Sequence, residues 1–420
     1  MHHFDLKEGV LNAEGVSLET IADEVGTPVY VYSTATLKRH YGLLRAAADA
    51  HRDALGEALI AFAVKANSNL SVLATLARLG SGADTVSEGE IRRALAAGVP
   101  AERIIFSGVG KTDVELAFAI GVGVRQINIE SGAELDRLIQ IAAAMDASPA
   151  IAVRVNPNIG AGGHAKITTG GKGDKFGVPV EEALALYARA SASPHVTPVG
   201  LACHIGSQIT ELEPFDEAFG RLADLVRRLR ARGHGITHVD LGGGLGVQYR
   251  DEQPPLAGDY ITAVRKRLAG RELSLVFEPG RFIVANAGVL LTQVEYLKHT
   301  EHKDFAIVDA AMNDLIRPAL YQAWMNVIAV QPHEGDTRRY DIVGPICETG
   351  DFLAKDRELA LAEGDLLAVC SAGAYGFVMS SNYNTRGRAA EVLVDGDQAF
   401  EVRRRESVQE LYAGESLLPT

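Results

Sequence analysis

What most constrains the fold of this chain is an alternation. Short apolar or β-branched runs ending in Gly, Asn, Ser or a charge recur at residues 61–64, 82–86, 104–107, 126–129, 151–155, 198–203, 238–241 and 273–277. Most are separated by segments with helical spacing, at 70–79, 88–97, 113–120, 133–144, 181–189, 214–232 and 260–268. Pro214 suits the first turn of its helix, where a missing N–H costs nothing. Eight such strands over about 250 residues match a (β/α)8 barrel, although a doubly wound sheet shares the alternation. The residues that follow the runs discriminate. Lys65, Ser87, Ser107, Glu130, Asn156, His204, Gly242 to Gly244 and Glu278 stand at or just past the carboxyl ends. A barrel gathers those ends into one mouth, whereas an open sheet brings together only its switch-point strands. The expectation is a TIM-like (β/α)8 barrel of α/β class.

After about residue 285 the texture changes. Strand-like runs at 289–294, 305–308, 366–370 and 391–394 follow one another with turns and little helix, the mark of an all-β domain. A chain of 420 residues also exceeds the length at which one core stops growing. The expected division is a barrel over 30–285 and a β-rich domain made of 1–29 plus 286–420. The first thirty residues would add a helix (18–25) and a short strand (29–32) to that second domain.

Charge and cysteine usage exclude several functions. A formal net charge of −13 with no basic cluster argues against nucleic acid as a partner; Arg403 to Arg405 read as a solvated strand end. No stretch approaches the roughly 18 uninterrupted apolar residues of a membrane span. Asp5, Glu8, Glu14 and Glu19 stand where a secretory signal would need an apolar core. Cys203, Cys347 and Cys370 are too few and too scattered for a disulfide framework, and without a CxxC pair no metal site is expected. A reducing, cytoplasmic setting follows.

Several residues carry chemistry. Lys65 interrupts the apolar run Phe62-Ala63-Val64-Lys65-Ala66-Asn67. Such an amine either reaches the rim or loses its charge, and a neutral amine there suits Schiff-base chemistry. Asp240-Leu241-Gly242-Gly243-Gly244-Leu245-Gly246 can cradle a phosphate on backbone N–H groups or can simply turn tightly. It is not a dinucleotide fingerprint, because Val247 replaces the last glycine, and the glycine-rich stretch 160–177 lacks the Walker A ending. Glu278-Pro279-Gly280-Arg281 reads as a local ion pair or as a carboxylate placed to keep a pyridine nitrogen protonated. His204 in Cys203-His204-Ile205-Gly206-Ser207 is a satisfied core imidazole or a ring stacked on a planar cofactor, with Ser207 as a phosphate donor. Cys347 reads as packing.

Taken together, Phe62 to Asn67, His204 to Ser207, Gly242-Gly243-Gly244, Glu278 to Arg281, Arg317-Pro318-Ala319-Leu320-Tyr321, Pro345-Ile346-Cys347-Glu348 and Gly373-Ala374-Tyr375-Gly376 resemble, in order, the pyridoxal 5′-phosphate (PLP) decarboxylases of the alanine-racemase-like barrel fold. These form the ornithine/diaminopimelate/arginine decarboxylase family, and the likeness runs from near residue 30 to near residue 400. It implies that Lys65 holds PLP covalently and that His204 stacks on its ring. It also implies that Ser207, Gly243, Gly244 and the segment Glu278, Pro279, Gly280 and Arg281 receive the phosphate, with Glu278 at the pyridine nitrogen and Tyr375 at the cofactor's edge. It implies a homodimer with shared active sites, in which Cys347 of the other chain is the proton donor.

The resemblance is nearest to the members that convert meso-2,6-diaminopimelate to L-lysine and CO2, the last step of lysine biosynthesis. His164-Ala165-Lys166-Ile167-Thr168-Thr169-Gly170 and Lys175-Phe176-Gly177 belong to that likeness. Substrate chemistry agrees. Diaminopimelate carries a remote carboxylate and a remote ammonium; Arg281 and Arg317 suit the first, Glu348 the second, and Tyr321 and Tyr375 can add hydrogen bonds. An ornithine- or arginine-type decarboxylase would leave two arginines unpaired at a cost of several kcal/mol. An amino-acid racemase on the same barrel would have an arginine where Glu278 stands, and a PLP carrier would lack the long β-rich segment. The stretch 160–177 is glycine-rich enough to serve as a lid.

Overall fold

The computed structural model describes residues 1–160, 169–171 and 173–419. Part of the expected lid, together with His164 to Thr168, lies outside the described residues.

Eight parallel strands close a barrel: β1 (Ala58–Ala63), β2 (Gly82–Thr85), β3 (Ile104–Phe106), β4 (Gln126–Ile129), β5 (Ala150–Arg154), β6 (Thr197–Ala202), β7 (His238–Asp240) and β8 (Ser274–Phe277). Each pairs with its chain neighbour, and β8 returns to β1 with Leu275 opposite Ala58. Helices cover the outside while side chains fill the inside, so the strands are buried on both faces, polar Asp84, Thr85, Gln126 and Asn128 included. The fold class expected from the sequence is the one found.

Close approach sets some residues. At Gly200 in β6 a Cβ would lie 2.6 Å from the His238 carbonyl oxygen of β7, so any side chain would push the strands apart. The helices start on side-chain caps: Ser87 Oγ accepts from Glu90 N, Ser131 Oγ from Glu134 N, and Thr112 with Glu115 forms a reciprocal box. Ser87 therefore serves its helix. Helix Glu213–Arg230 has Pro214 in its first turn and buries Phe215, Phe219, Leu222, Val226 and Leu229, one face at helical spacing. Phe215, Phe219, Tyr260 and Phe277 meet edge-on or stacked at centroid distances of 5.0–6.0 Å. Each such buried ring contributes about 2–3 kcal/mol.

The chain forms two compact units. The barrel unit comprises Arg39–Gln248 and Glu252–Ile283; the β unit comprises Met1–Lys38, Tyr249–Asp251 and Val284–Thr420. These limits differ from the expected ones at 29/30 and 285/286. Strand Val29–Ser33 lies in the β unit's sheet, antiparallel to Gly288–His299 and parallel to Ala390–Asp395. The sheet continues through Asp304–Val308, Arg338–Val343 and Phe352–Leu359 on one side and Gln398–Arg403 on the other. Leu11, Leu18, Ile21, Val29 and Val31 share one core with Val289, Leu291 and Val392.

Candidate active site

The barrel's carboxyl ends bring together the ionisable residues that the sequence scatters. Strand β1 stops at Ala63, three residues into the run expected at 61–64, and Val64–Ala66 forms one turn of 3-10 helix. That turn carries Lys65 off the strand. Its Nζ donates to Asp84 Oδ2 of β2 at 2.5 Å, with the lysine side chain 34% exposed and the aspartate fully buried.

Asp240 at the end of β7 and Glu278 just after β8 face the same region, 1% and 8% exposed. Asp240 Oδ1 accepts from Gly242 N at 2.9 Å, and Oδ2 accepts from Asn128 Nδ2 at 3.2 Å. A side-chain hydrogen bond joins Asp240 to Glu278. Glu278 Oε1 is buried and has no hydrogen-bond partner among the described residues. Burial, followed by the charges of Asp240 and Asp84, raises the Glu278 carboxyl well above its ordinary range. Burial also lifts Asp240 to about 6. These are the groups that a ring nitrogen of a bound pyridine would need opposite it.

His204 lies past β6. Its Nδ1 accepts from Gly243 N at 3.1 Å, which leaves the ring proton on Nε2. Burial, then Arg154 and Lys65, holds the imidazole well below its usual range, so it is a neutral planar ring. The glycine loop has to be glycine. A Cβ would lie 2.3 Å from the Cys203 carbonyl oxygen at Gly242, 2.1 Å from that of Glu278 at Gly243, and 2.5 Å from that of Gly206 at Gly244. Gly242 and Gly244 also adopt φ of +66° and +107°. Beside the loop, Arg281 Nη2 donates to Ser207 Oγ at 3.0 Å. Pro279 accepts from Ala63 N at 3.1 Å, and a Cβ on Gly280 would press on Ala66 and Ala63 at 3.0 and 3.1 Å. An anion cradle of backbone, hydroxyl and guanidinium thus adjoins an amine, a neutral ring and a buried acid pair. This donor set fits PLP: the bare Glu278 oxygen and the narrow glycine loop are what its ring nitrogen and phosphate require.

Three groups here escaped the sequence reading. Asp84 is an acid within a strand with no motif of its own, and Asp240 opens the glycine-rich run without having been given a role there. Arg154, at the end of β5, pairs with Glu130 at 2.8 Å and lies over the Phe176 ring.

The remaining predicted residues belong to the β unit. Arg317 opens the short helix Arg317–Tyr321, which carries Pro318 in its first turn; its guanidinium lies 4.6 Å from the centre of the Tyr249 ring, and Nη1 contacts Met325 Sδ. Arg357 donates to the Met325 carbonyl at 2.7 Å and stacks on Trp324, which Arg250 also approaches. Cys347 is exposed, contrary to its reading as packing, because Pro345-Ile346-Cys347-Glu348 forms a turn at the surface of the β unit. Asp351 pins that turn by accepting from Ile346 N, and Cys347 N donates to Asn384 Oδ1 at 3.0 Å. Glu348, also exposed, hydrogen-bonds the Tyr383 hydroxyl. Tyr375 is half-buried with φ +55°.

Comparison with known proteins agrees with this geometry. A family model described as pyridoxal-dependent decarboxylase, pyridoxal binding domain, matches residues 41–285. A diaminopimelate decarboxylase of Pseudomonas aeruginosa is 65% identical over all of both chains, and one from Vibrio cholerae is 53% identical over all of both. The crystal structure of diaminopimelate decarboxylase from Helicobacter pylori complexed with L-lysine superposes with a TM-score of 0.90 at 41% identity, covering 94% of this chain and 98% of that one.

Proposed function

Because the chain belongs to the pyridoxal-dependent decarboxylases, we propose that it removes one carboxylate from meso-2,6-diaminopimelate to give L-lysine and CO2, the last step of lysine biosynthesis. Full-length likeness at 65% identity to an enzyme named for that reaction carries the proposal. Bound PLP supplies the sink for the electron pair left when the carboxylate departs.

The chain's own residues do the rest. Lys65 is the amine that tethers the cofactor, and when it is free its Nζ donates to Asp84 Oδ2 at 2.5 Å. Glu278 holds a proton at the ring nitrogen. His204, kept neutral, covers the ring face without adding charge. Ser207, Gly243, Gly244 and the Glu278–Arg281 segment hold the phosphate, with Tyr375 at the edge. Arg281, Arg317 and Tyr321 bind the remote carboxylate and Glu348 the remote ammonium. Cys347, exposed on its own chain, delivers a proton to the substrate carbon of a partner protomer in a homodimer. A reducing cytoplasmic setting, which keeps that thiol free, is part of the same proposal. The expected domain division, a PLP-binding barrel beside a β-rich domain that completes the dimer's site, is part of it too.

The test is the purified protein with PLP and meso-diaminopimelate, scored for lysine and CO2 against ornithine and arginine. No lysine from diaminopimelate would overturn it. Removing a positioned acid costs about 10²–10⁴-fold, so Cys347→Ala should lose rate in that range and keep its cofactor. Mixing inactive Cys347→Ala and Lys65→Ala proteins should restore about a quarter of wild-type activity, because half of randomly paired dimers carry one intact site. No recovery after verified subunit exchange would sink the shared site.

A further inference from the structure

We infer that Asp240 is a positioning residue that keeps the proton of its carboxyl pair on Glu278, poised for a pyridine nitrogen. The inference rests on the reading of Glu278 given above and deepens it.

The argument is one of donor counting. Two carboxyl groups joined by a hydrogen bond must share one proton. Both Asp240 oxygens already accept N–H donors, from Gly242 N and from Asn128 Nδ2. The Asn128 amide cannot swap ends without loss, because Gln126 Nε2 donates to its Oδ1 at 2.7 Å and its Nδ2 also reaches Ser107 Oγ at 3.1 Å. The chain Gln126 to Asn128 to Asp240 therefore delivers donors to Asp240 and marks it as the anion. Glu278 receives no such donor: its Oε1 is buried without a partner. The proton belongs to Glu278. The other ionisable groups facing the pair are Lys65, Asp84, Arg154, Cys203 and Tyr260, and Asp84 already answers Lys65.

When a pyridine nitrogen arrives, the Glu278 O–H bond breaks and an N–H bond forms, leaving a carboxylate and a pyridinium. The standing charge on Asp240 favours that cation and disfavours return of the nitrogen to its neutral form. Asp240→Asn keeps an acceptor for Gly242 N and the side-chain volume, and it removes the charge together with the oxygen that accepts from Asn128 Nδ2.

The test is the holoenzyme loaded with PLP labelled with 15N in the ring, read by NMR across the pH range in which it stays folded. Wild type should keep the nitrogen protonated. Asp240→Asn should still bind cofactor yet lower the nitrogen's pKa by a unit or more, about tenfold in the ratio of protonated to neutral nitrogen, and lower kcat with little change in KM. A nitrogen as protonated in Asp240→Asn as in wild type overturns the inference. Glu278→Gln separates the two layers: a nitrogen still protonated there overturns the reading of Glu278 itself, whereas loss there without loss in Asp240→Asn sinks only the role of Asp240. If Asp240→Asn does not fold, infrared difference spectra of the full-length cofactor-free protein decide. Wild type should show a protonated carboxylic acid band that Glu278→Gln lacks and that Asn128→Leu shifts; a spectrum with carboxylates alone overturns the inference.

Discussion

Glu90 holds the backbone N–H of Val86 at 2.8 Å, and burial raises its carboxyl to about 7 despite that bond and the nearby charge of Lys65. A carboxyl raised on folding favours the folded state fully below its unfolded pKa and loses that contribution as pH rises through the folded one. Stability of the cofactor-free protein should therefore fall between about pH 4.5 and 7 by on the order of 2 kcal/mol from this group. Glu90→Gln should flatten that fall in urea titrations; an unchanged profile would remove Glu90 as its cause. His204 acts with the opposite sign, since its depressed imidazole loses stability as pH drops below its ordinary value. Lys65→Ala should abolish the borohydride-reducible link to cofactor, and peptide mapping of the wild-type adduct should find residue 65. Legibility at this scale followed contrast. Lys65, His204 and Glu278 stand out in the sequence because each breaks or closes an apolar run. Asp84 and Asp240 do not, because an acid at a strand's end looks like ordinary rim polarity until the barrel closes and buries it.

Among the elements, the loop after β7 tolerates least. At Gly243 a Cβ would meet backbone, the Glu278 carbonyl oxygen at 2.1 Å, and backbone cannot rotate away. Gly243→Ala should cost about 3 kcal/mol of stability or more and weaken cofactor uptake, measurable by thermal unfolding with and without PLP. Wild-type stability and uptake would show that the loop has slack. The sequence suggested this loop through its run of glycines but could not choose between a cradle and a mere turn; the neighbouring carbonyls of Cys203, Gly206 and Glu278 explain the glycines by close packing. Strand limits were less legible. The run before Lys65 reads as one strand through Val64, yet hydrogen-bonded register with β2 ends at Ala63, opposite Asp84, and the next residues wind into a turn. The exposure of Cys347 was not legible from its neighbours alone. A lone cysteine usually packs inward, and here bonds from Ile346 N to Asp351 and from Cys347 N to Asn384 hold the turn at the surface.

For the molecule as a whole, strand count and order were legible because eight apolar runs buried on both faces leave a plain periodic trace. The limits of the units were not. The strand at Val29–Ser33 lies in the β unit, where the sequence reading put it, but that unit also takes residues through Lys38, and Tyr249–Asp251 joins it from the middle of the barrel's sequence. Pairing between residues so far apart leaves no local signature. Val29 lies opposite Ala390 and Ser33 opposite Val394, so a central ribbon of the sheet pairs with a segment synthesised hundreds of residues later. At 5–20 residues per second the nascent Val-Tyr-Val-Tyr-Ser segment waits roughly 20–70 s for that neighbour. Until Gly288–His299 emerges to cover its other edge, this β-prone stretch has neither of its sheet partners, which makes it a place where a chaperone would be needed.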